Sequence, residues 1–444
     1  MSTLNVDKVD PSSGTALELG TSGDTITVPT GAGLTVTDEV KTNKVSPATG
    51  TAFALGDSGD TFTVPSGATI VNSGTATGFG ITAASFRPNV QPIIINGNMQ
   101  VAQRAASLTG ITTSGYWTVD RMKDVMSSLG TWTDIQESLV TADAAAADGF
   151  RKAWRTDCTT ADASPAAGNY KVFTTYLEGN DLQMFKNGTS GAESYTLAFW
   201  VKCNKTGTGQ VNLVNNDNAR LCGASYAISV ADTWEHKVVN YPAETSDYPY
   251  GRDNGRALKI EWWLDSGTDF SSGTMPTAWE AETNADSNAA GDLALGDNTA
   301  NDWAITGIQL EVGSYTSSTL PPFQHESYVN NLMRCFRYYF KLTRDTTNQA
   351  VCMGRYWSST DGGGQFTFPV PMRDAVTMDF VNGTSYFTAS TKGENDYFDG
   401  CTQNDYGPTT SGWYMSGGGG STPETAFITM TNNSLAVCAW KSEL

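Results

Sequence analysis

Catalysis needs reactive side chains at workable spacing, and this chain of 444 residues offers few. Its two histidines, His236 and His325, fall in different expected segments, so a histidine-based catalyst lacks a partner and each ring reads as structural. Gly20-Thr-Ser-Gly and Gly56-Asp-Ser-Gly are turn sequences rather than nucleophile elbows. The run Gly417-Gly-Gly-Gly-Ser-Thr lacks the lysine of a phosphate loop. Asp396 and Asp399 are the first candidates for the paired carboxylates of glycan cleavage, but they read as solvated loop acids. Their loop and the Asp286-Ser-Asn288 stretch lack the ligand order of a calcium loop. The chain is therefore expected to be no enzyme, with no catalytic residue, no cofactor and no metal.

Aromatic rings are the remaining signal. The C–H face of a sugar is apolar and stacks on Trp or Tyr, while amides and carboxylates hold its hydroxyls. Trp357, Tyr397, Tyr406, Trp413 and Tyr414 fall in expected loops at 357–364, 394–400 and 406–420, beside Asn395, Gln403, Asn404 and Asp405. Trp357, Tyr397, Asn404, Tyr406, Trp413 and Tyr414 are the candidate receptor or glycan contacts. Trp200, Trp262, Trp263 and Trp303 read as core or inter-sheet residues.

These rings need a scaffold, and its texture is all-β. Tyr195, Leu197, Phe199, Val201 and Cys203 share one strand face, and Leu258, Ile260, Trp262 and Leu264 repeat the pattern. In residues 303–312 the apolar parity switches at Gly307, which predicts a β-bulge. Strands without helices between them predict an antiparallel jelly-roll sandwich up to residue 322. One short helix follows over 326–337. Its apolar face, Val329, Leu332, Met333 and Phe336, is the expected oligomer interface and inter-domain packing surface, with Asn330, Asn331, Arg334 and Arg337 facing water or a partner chain. Alternation then resumes at Phe366, Phe368 and Val370, at Val376, Met378 and Phe380, and at 427–428 and 435–437, predicting a second, smaller sandwich.

The N-terminal stretch differs. Residues 8–32 and 44–68 repeat with a period of 36, each copy holding two short strand-like pieces closed by Pro29 or Pro65. Such units bury little alone and are expected to fold by winding with copies of themselves; residues 69–90 read as a neck. With 27 Lys+Arg against 46 Asp+Glu, the net charge of -19 argues against nucleic acid and anionic lipid as partners. Neither a signal peptide nor a membrane span is legible, so synthesis in a cytoplasm and no membrane insertion are expected. Seven widely spaced cysteines read as reduced thiols, mostly buried in strands.

Several stretches, in order, resemble phage tail-fibre and receptor-binding proteins of marine-phage type. They are Ser22-Gly-Asp-Thr-Ile-Thr-Val-Pro with its copy, Ile94-Ile-Asn-Gly-Asn-Met-Gln-Val-Ala-Gln-Arg104, Tyr116-Trp-Thr-Val-Asp-Arg121, Leu197-Ala-Phe-Trp-Val-Lys202, Ile305-Thr-Gly-Ile-Gln-Leu-Glu-Val-Gly313 and Arg334-Cys-Phe-Arg-Tyr-Tyr339. The central domain resembles jelly-roll carbohydrate-binding modules. The resemblance implies a homotrimeric virion protein whose N-terminal side docks on phage tail or adaptor proteins and whose C-terminal end meets bacterial surface polysaccharide. The expected domains are a trimeric shaft over 1–85, a jelly roll over 86–322, a linking helix over 323–340 and a tip over 341–444. The expected function is host adsorption by a tail fibre; the alternatives are a fibre with glycan depolymerase activity and a head or collar decoration.

Overall fold

The computed structural model describes residues 91–343, 346–391, 393–416 and 423–444, without the side chains of Asn404 and Asp405. The described residues lie within one compact unit. The 36-residue repeat, the neck and the shaft expected over 1–85 lie outside the described residues.

The described part is all-β. Its first half comprises β1 (Ser107–Ile111), β2 (Lys123–Ser127), β3 (Thr131–Ser138), β4 (Lys152–Thr160), β5 (Tyr170–Glu178), β6 (Tyr195–Cys203), β7 (Gly207–Asn215), β8 (Arg220–Ile228), β9 (Glu235–Tyr241), β10 (Arg256–Ser266), β11 (Glu280–Ala281) and β12 (Asp302–Val312). They form two six-stranded sheets in the orders β1-β3-β4-β12-β6-β9 and β11-β8-β7-β10-β5-β2. The alternation in β6 and β10 sends Leu197, Phe199, Ile260 and Trp262 into one core between the sheets. The bulge falls where the parity switch placed it. The β12–β6 register shifts between Thr306 and Gln309, Gly307 adopts φ +64°, and Trp303, Ile305, Ile308 and Leu310 all reach that core. A Cβ at Gly307 would stand 2.6 Å from the Phe150 ring, so glycine is needed there for both space and backbone conformation.

The tip comprises β13 (Tyr339–Lys341), β14 (Ala350–Tyr356), β15 (Gly362–Thr367), β16 (Thr377–Met378), β17 (Phe387–Ser390), β18 (Asn395–Phe398), β19 (Thr402–Tyr406), β20 (Thr410–Met415), β21 (Ala426–Thr431) and β22 (Ala439–Lys441). A three-stranded sheet, β13-β22-β16, accompanies a seven-stranded sheet, β18-β17-β21-β14-β15-β20-β19. Residues 435–437 form no strand; Val437 makes a single bridge to Val381. Of the seven cysteines, all but the partly buried Cys352 are buried; four lie in strands, while Cys335 is helical and Cys401 and Cys438 are in connections.

The helix runs Tyr328–Phe336, and Ser327 caps it by accepting the Asn330 amide. Its docking reverses one expectation. Asn331 is buried: its Oδ1 accepts the Asn96 amide at 3.1 Å, and its Nδ2 donates to Asn98 Oδ1 at 3.1 Å. Arg334 donates to Glu326 and to the Pro92 carbonyl, and Arg337 clasps Glu178 through two 2.7 Å bonds. Val329 is 64% exposed, and Leu332, Met333 and Phe336 are only partly buried. The polar face is held at the sandwich–tip junction, where the loop around Asn96 presents amides that need a hydrogen-bonding partner, while Phe336 packs edge-on to Phe340 at 4.8 Å.

The stretches quoted above converge there. Gln103 Nε2 donates to the Tyr339 carbonyl, and its backbone amide donates to Asp120. Arg104 lies 3.6 Å from the Tyr339 ring centroid and Arg121 3.5 Å from that of Tyr338, while both guanidiniums pair with Glu443. Burial, opposed by Arg104, pushes the Asp120 carboxyl up to about 6. These segments assemble the sandwich–tip junction.

Candidate functional site

The segments expected as loops at 357–364, 394–400 and 406–420 are largely strand. Gly362 to Gly364 begin β15, Tyr397 stands on β18, Asn404 and Tyr406 on β19, and Trp413 and Tyr414 on β20. Glycines conceal the period-2 pattern because they contribute no side chain to either face. Tyr397 and Tyr406 are exposed but occupy opposite edges of the seven-stranded sheet, so they do not share a site. Trp413 is 2% exposed, edge-on to Phe427 at 5.8 Å under the sheet, and is unavailable to a sugar. Strand alternation turns it inward with Met415 while Tyr414 turns out.

Trp357 and Tyr414 do come together. Their rings stack at 5.6 Å with an interplanar angle of 14°. A turn bound by Asp361 aims the tryptophan: the Trp357 amide donates to the Asp361 carbonyl at 3.1 Å, and Ser358 Oγ donates to Asp361 Oδ2 at 2.8 Å. Tyr414 Oη donates to the other Asp361 oxygen at 3.1 Å, so one carboxylate positions both rings. Beneath them lies Gly363, where a Cβ would stand 2.7 Å from the indole.

Gly363 stands opposite both Arg355 and Tyr414, so these three form a row across the outer face. The adjacent row holds Met353, Gln365 and Gly412. Together they shape a groove of about 620 Å³. Met353 is 71% exposed and stands opposite the exposed Ile428. Arg355 pairs with Glu424 at 2.6 Å in the open. The Gln365 side chain makes no hydrogen bond among the described residues. The groove thus offers apolar stacking surface beside an unspent amide. Sequence reasoning missed Met353, Arg355 and Gln365; extending the Phe366–Phe368 alternation backwards would have placed Gln365 on the opposite face.

A second groove lies on the sandwich, and it joins both histidines despite their separation in sequence. Trp200 is a partly buried residue on the outer face of its sheet rather than between sheets, and its ring lies 5.1 Å from that of His236 at a 30° tilt. His325 packs on Phe150 and Phe323 at 5.1 and 4.9 Å, with Nε2 2.9 Å from the Asp148 carbonyl. This hollow, of about 410 Å³, adjoins one of about 470 Å³ that shares His236 and Ser317. Its amides are engaged: Gln309 donates to Glu311 and the Pro321 carbonyl, and Asn240 bonds Thr196 and Tyr315. Burial lowers the proton affinity of His236, opposed by Asp148. Trp262, Trp263 and Trp303 are buried as expected.

The candidate acids are each engaged within the fold. Asp396 Oδ2 accepts the Tyr356 hydroxyl at 2.6 Å, while Asp399 Oδ1 accepts the Ser385 amide at 2.8 Å and so fixes a turn. Asp286 binds the Thr274 amide and the Thr283 hydroxyl. No cluster of three or more metal-binding side chains occurs among the described residues.

No family model and no curated protein matches the chain. Solved structures similar to it include the enzymatically active domain of bacteriophage CBA120 tailspike protein 4, with a TM-score of 0.26 and 11% identity over 50% of this chain and 21% of that one. The chain therefore spans about a fifth of that tailspike structure. Another is described as "CBM4 structure and function", a carbohydrate-binding module, with a TM-score of 0.20 and 12% identity over 36% of this chain and 70% of that one.

Proposed function

We propose that the protein is a phage virion fibre that adsorbs to bacterial surface polysaccharide through the outer face of the tip sheet, binding the glycan without cleaving it. The observation that carries this reading is the Trp357–Tyr414 stack, built over a glycine floor and beside the unspent Gln365 amide. A sugar ring laid on Trp357 and Met353 would cover apolar surface that the tip leaves wet, while Gln365 and Arg355 donate to its hydroxyls. Three copies would multiply a modest single-site affinity through avidity. The half-exposed helix face of Val329, Leu332 and Met333 suits contact between chains in such a homotrimer, with the N-terminal repeat as its shaft and virion side. Adsorption of the purified protein to host and non-host cells tests the reading. Trp357→Ala is expected to lose host adsorption while keeping the wild-type unfolding profile. Undiminished adsorption would move the receptor site off this face.

A further inference from the structure

Strands β2 and β5 are neighbours in the second sheet of the sandwich, with Asp124 opposite Phe173. Lys171, two residues earlier, therefore projects from the same face, into the interior that Phe173 fills. Lys171 Nζ lies 2.7 Å from Asp124 Oδ2, and both side chains are 0% exposed. The rings of Trp132 and Trp154 lie 4.6 and 5.9 Å from that nitrogen. From the facing sheet, β3 brings Asp134, itself 1% exposed, into electrostatic reach of both Asp124 and Lys171. Burial, and then the Asp124 carboxyl, raise Asp134 well above the usual carboxylate range, and the Asp134 side chain lies within hydrogen-bonding reach of Asp124. One oxygen of each carboxyl is buried with no donor of its own. An ordinary buried ion pair accounts for the lysine and one carboxylate, but not for a second carboxyl pressed against them.

We propose that Lys171 and Asp124 condense into a side-chain amide bond, with Asp134 transferring the protons. The reaction begins with transfer of a proton from Nζ to Oδ2 across their 2.7 Å contact. The Nζ lone pair attacks Cγ of Asp124 and forms the C–N bond. Asp134 gives its proton to the departing hydroxyl oxygen and takes one from the nitrogen. The C–O bond breaks and one water leaves, so amine and acid become amide and water. Asp134 ends as it began, and no oxidant or other reactant is consumed. The product ties edge strand β2 covalently to β5 and closes the chain around β3 and β4.

Intact-mass measurement of the purified full-length chain under denaturing conditions tests this. The expected mass is one water below that of the sequence, and digestion is expected to yield one branched peptide carrying both positions 124 and 171. A wild-type mass equal to that of the sequence overturns the proposal, as does a water loss that digestion maps elsewhere. Asp134→Asn is expected to retain the full sequence mass with a wild-type circular dichroism spectrum. A folded Asp134→Asn chain that still loses the water overturns the proton-transfer role of Asp134.

Discussion

The tip groove and the sandwich groove both present aromatic rings on the outer face of a sheet, yet they dispose of their polar atoms oppositely. In the sandwich groove Gln309, Asn240 and His325 are committed to protein partners, and Trp200 is partly covered by the Phe150 and Phe323 segments. In the tip groove Asp361 alone sets the two rings, Gln365 stays uncommitted, and Met353 is open to solvent. A polar group that already has a protein partner gains little from a ligand, whereas an exposed amide beside an apolar platform gains both contacts at once. Rings alone therefore do not mark a binding face; rings with unspent donors do.

The largest effect that sharpens this contrast lies beneath the tip groove. Trp413→Ala removes a buried ring against Phe427 and is expected to cost about 3–5 kcal/mol, lowering the tip's unfolding midpoint in a denaturant titration. Trp262→Ala is expected to cost the sandwich a similar amount, about 3–5 kcal/mol. At the junction, Asn331→Ala leaves Asn98 and the Asn96 amide without their partner, an expected loss of about 1–3 kcal/mol. Limited proteolysis between sandwich and tip should then speed up; an unchanged cleavage rate would show that the ion pairs of Arg337 and Arg121 suffice.

On the surface, Trp357→Ala is expected to forfeit about 0.5–1.5 kcal/mol per site, which avidity enlarges in cell adsorption, with no change in unfolding. Trp200→Ala should leave adsorption at wild type. The reverse outcome for this pair would assign the receptor to the sandwich groove.

The smallest effect is the pH dependence that His236 brings to the sandwich. Burial depresses the folded-state proton affinity of His236, so its contribution to stability is fully present above the ordinary histidine value, about 6.5, and is lost as pH falls below it. In thermal unfolding, the stability difference between wild type and His236→Gln should shift against wild type as pH falls below about 6.5. Trp357 and Tyr414 involve no histidine, and glycan binding at the tip should not follow the same curve.

Much of the architecture was legible from residue order alone. The alternation in β6 and β10, the bulge at Gly307 and the helix after Pro322 follow from local spacing, because a period of 2 or 3.6 assigns each side chain a face wherever the chain lies. Periodicity also separated buried Trp262 and Trp303 from solvent. It could not say how the helix docks: Phe336 of the hydrophobic face packs on Phe340, but Asn331 and Arg337 also make contacts, with partners Asn96 and Glu178 more than 150 residues away in sequence. The glycines of β15 erased the pattern that would have sent Trp413 inward and Tyr414 outward. Pairings such as Trp357 with Tyr414, His236 near His325, and Lys171 between Asp124 and Asp134 depend on which strands become neighbours. Sheet order, set by packing across the whole core, decides that, and local sequence does not encode it.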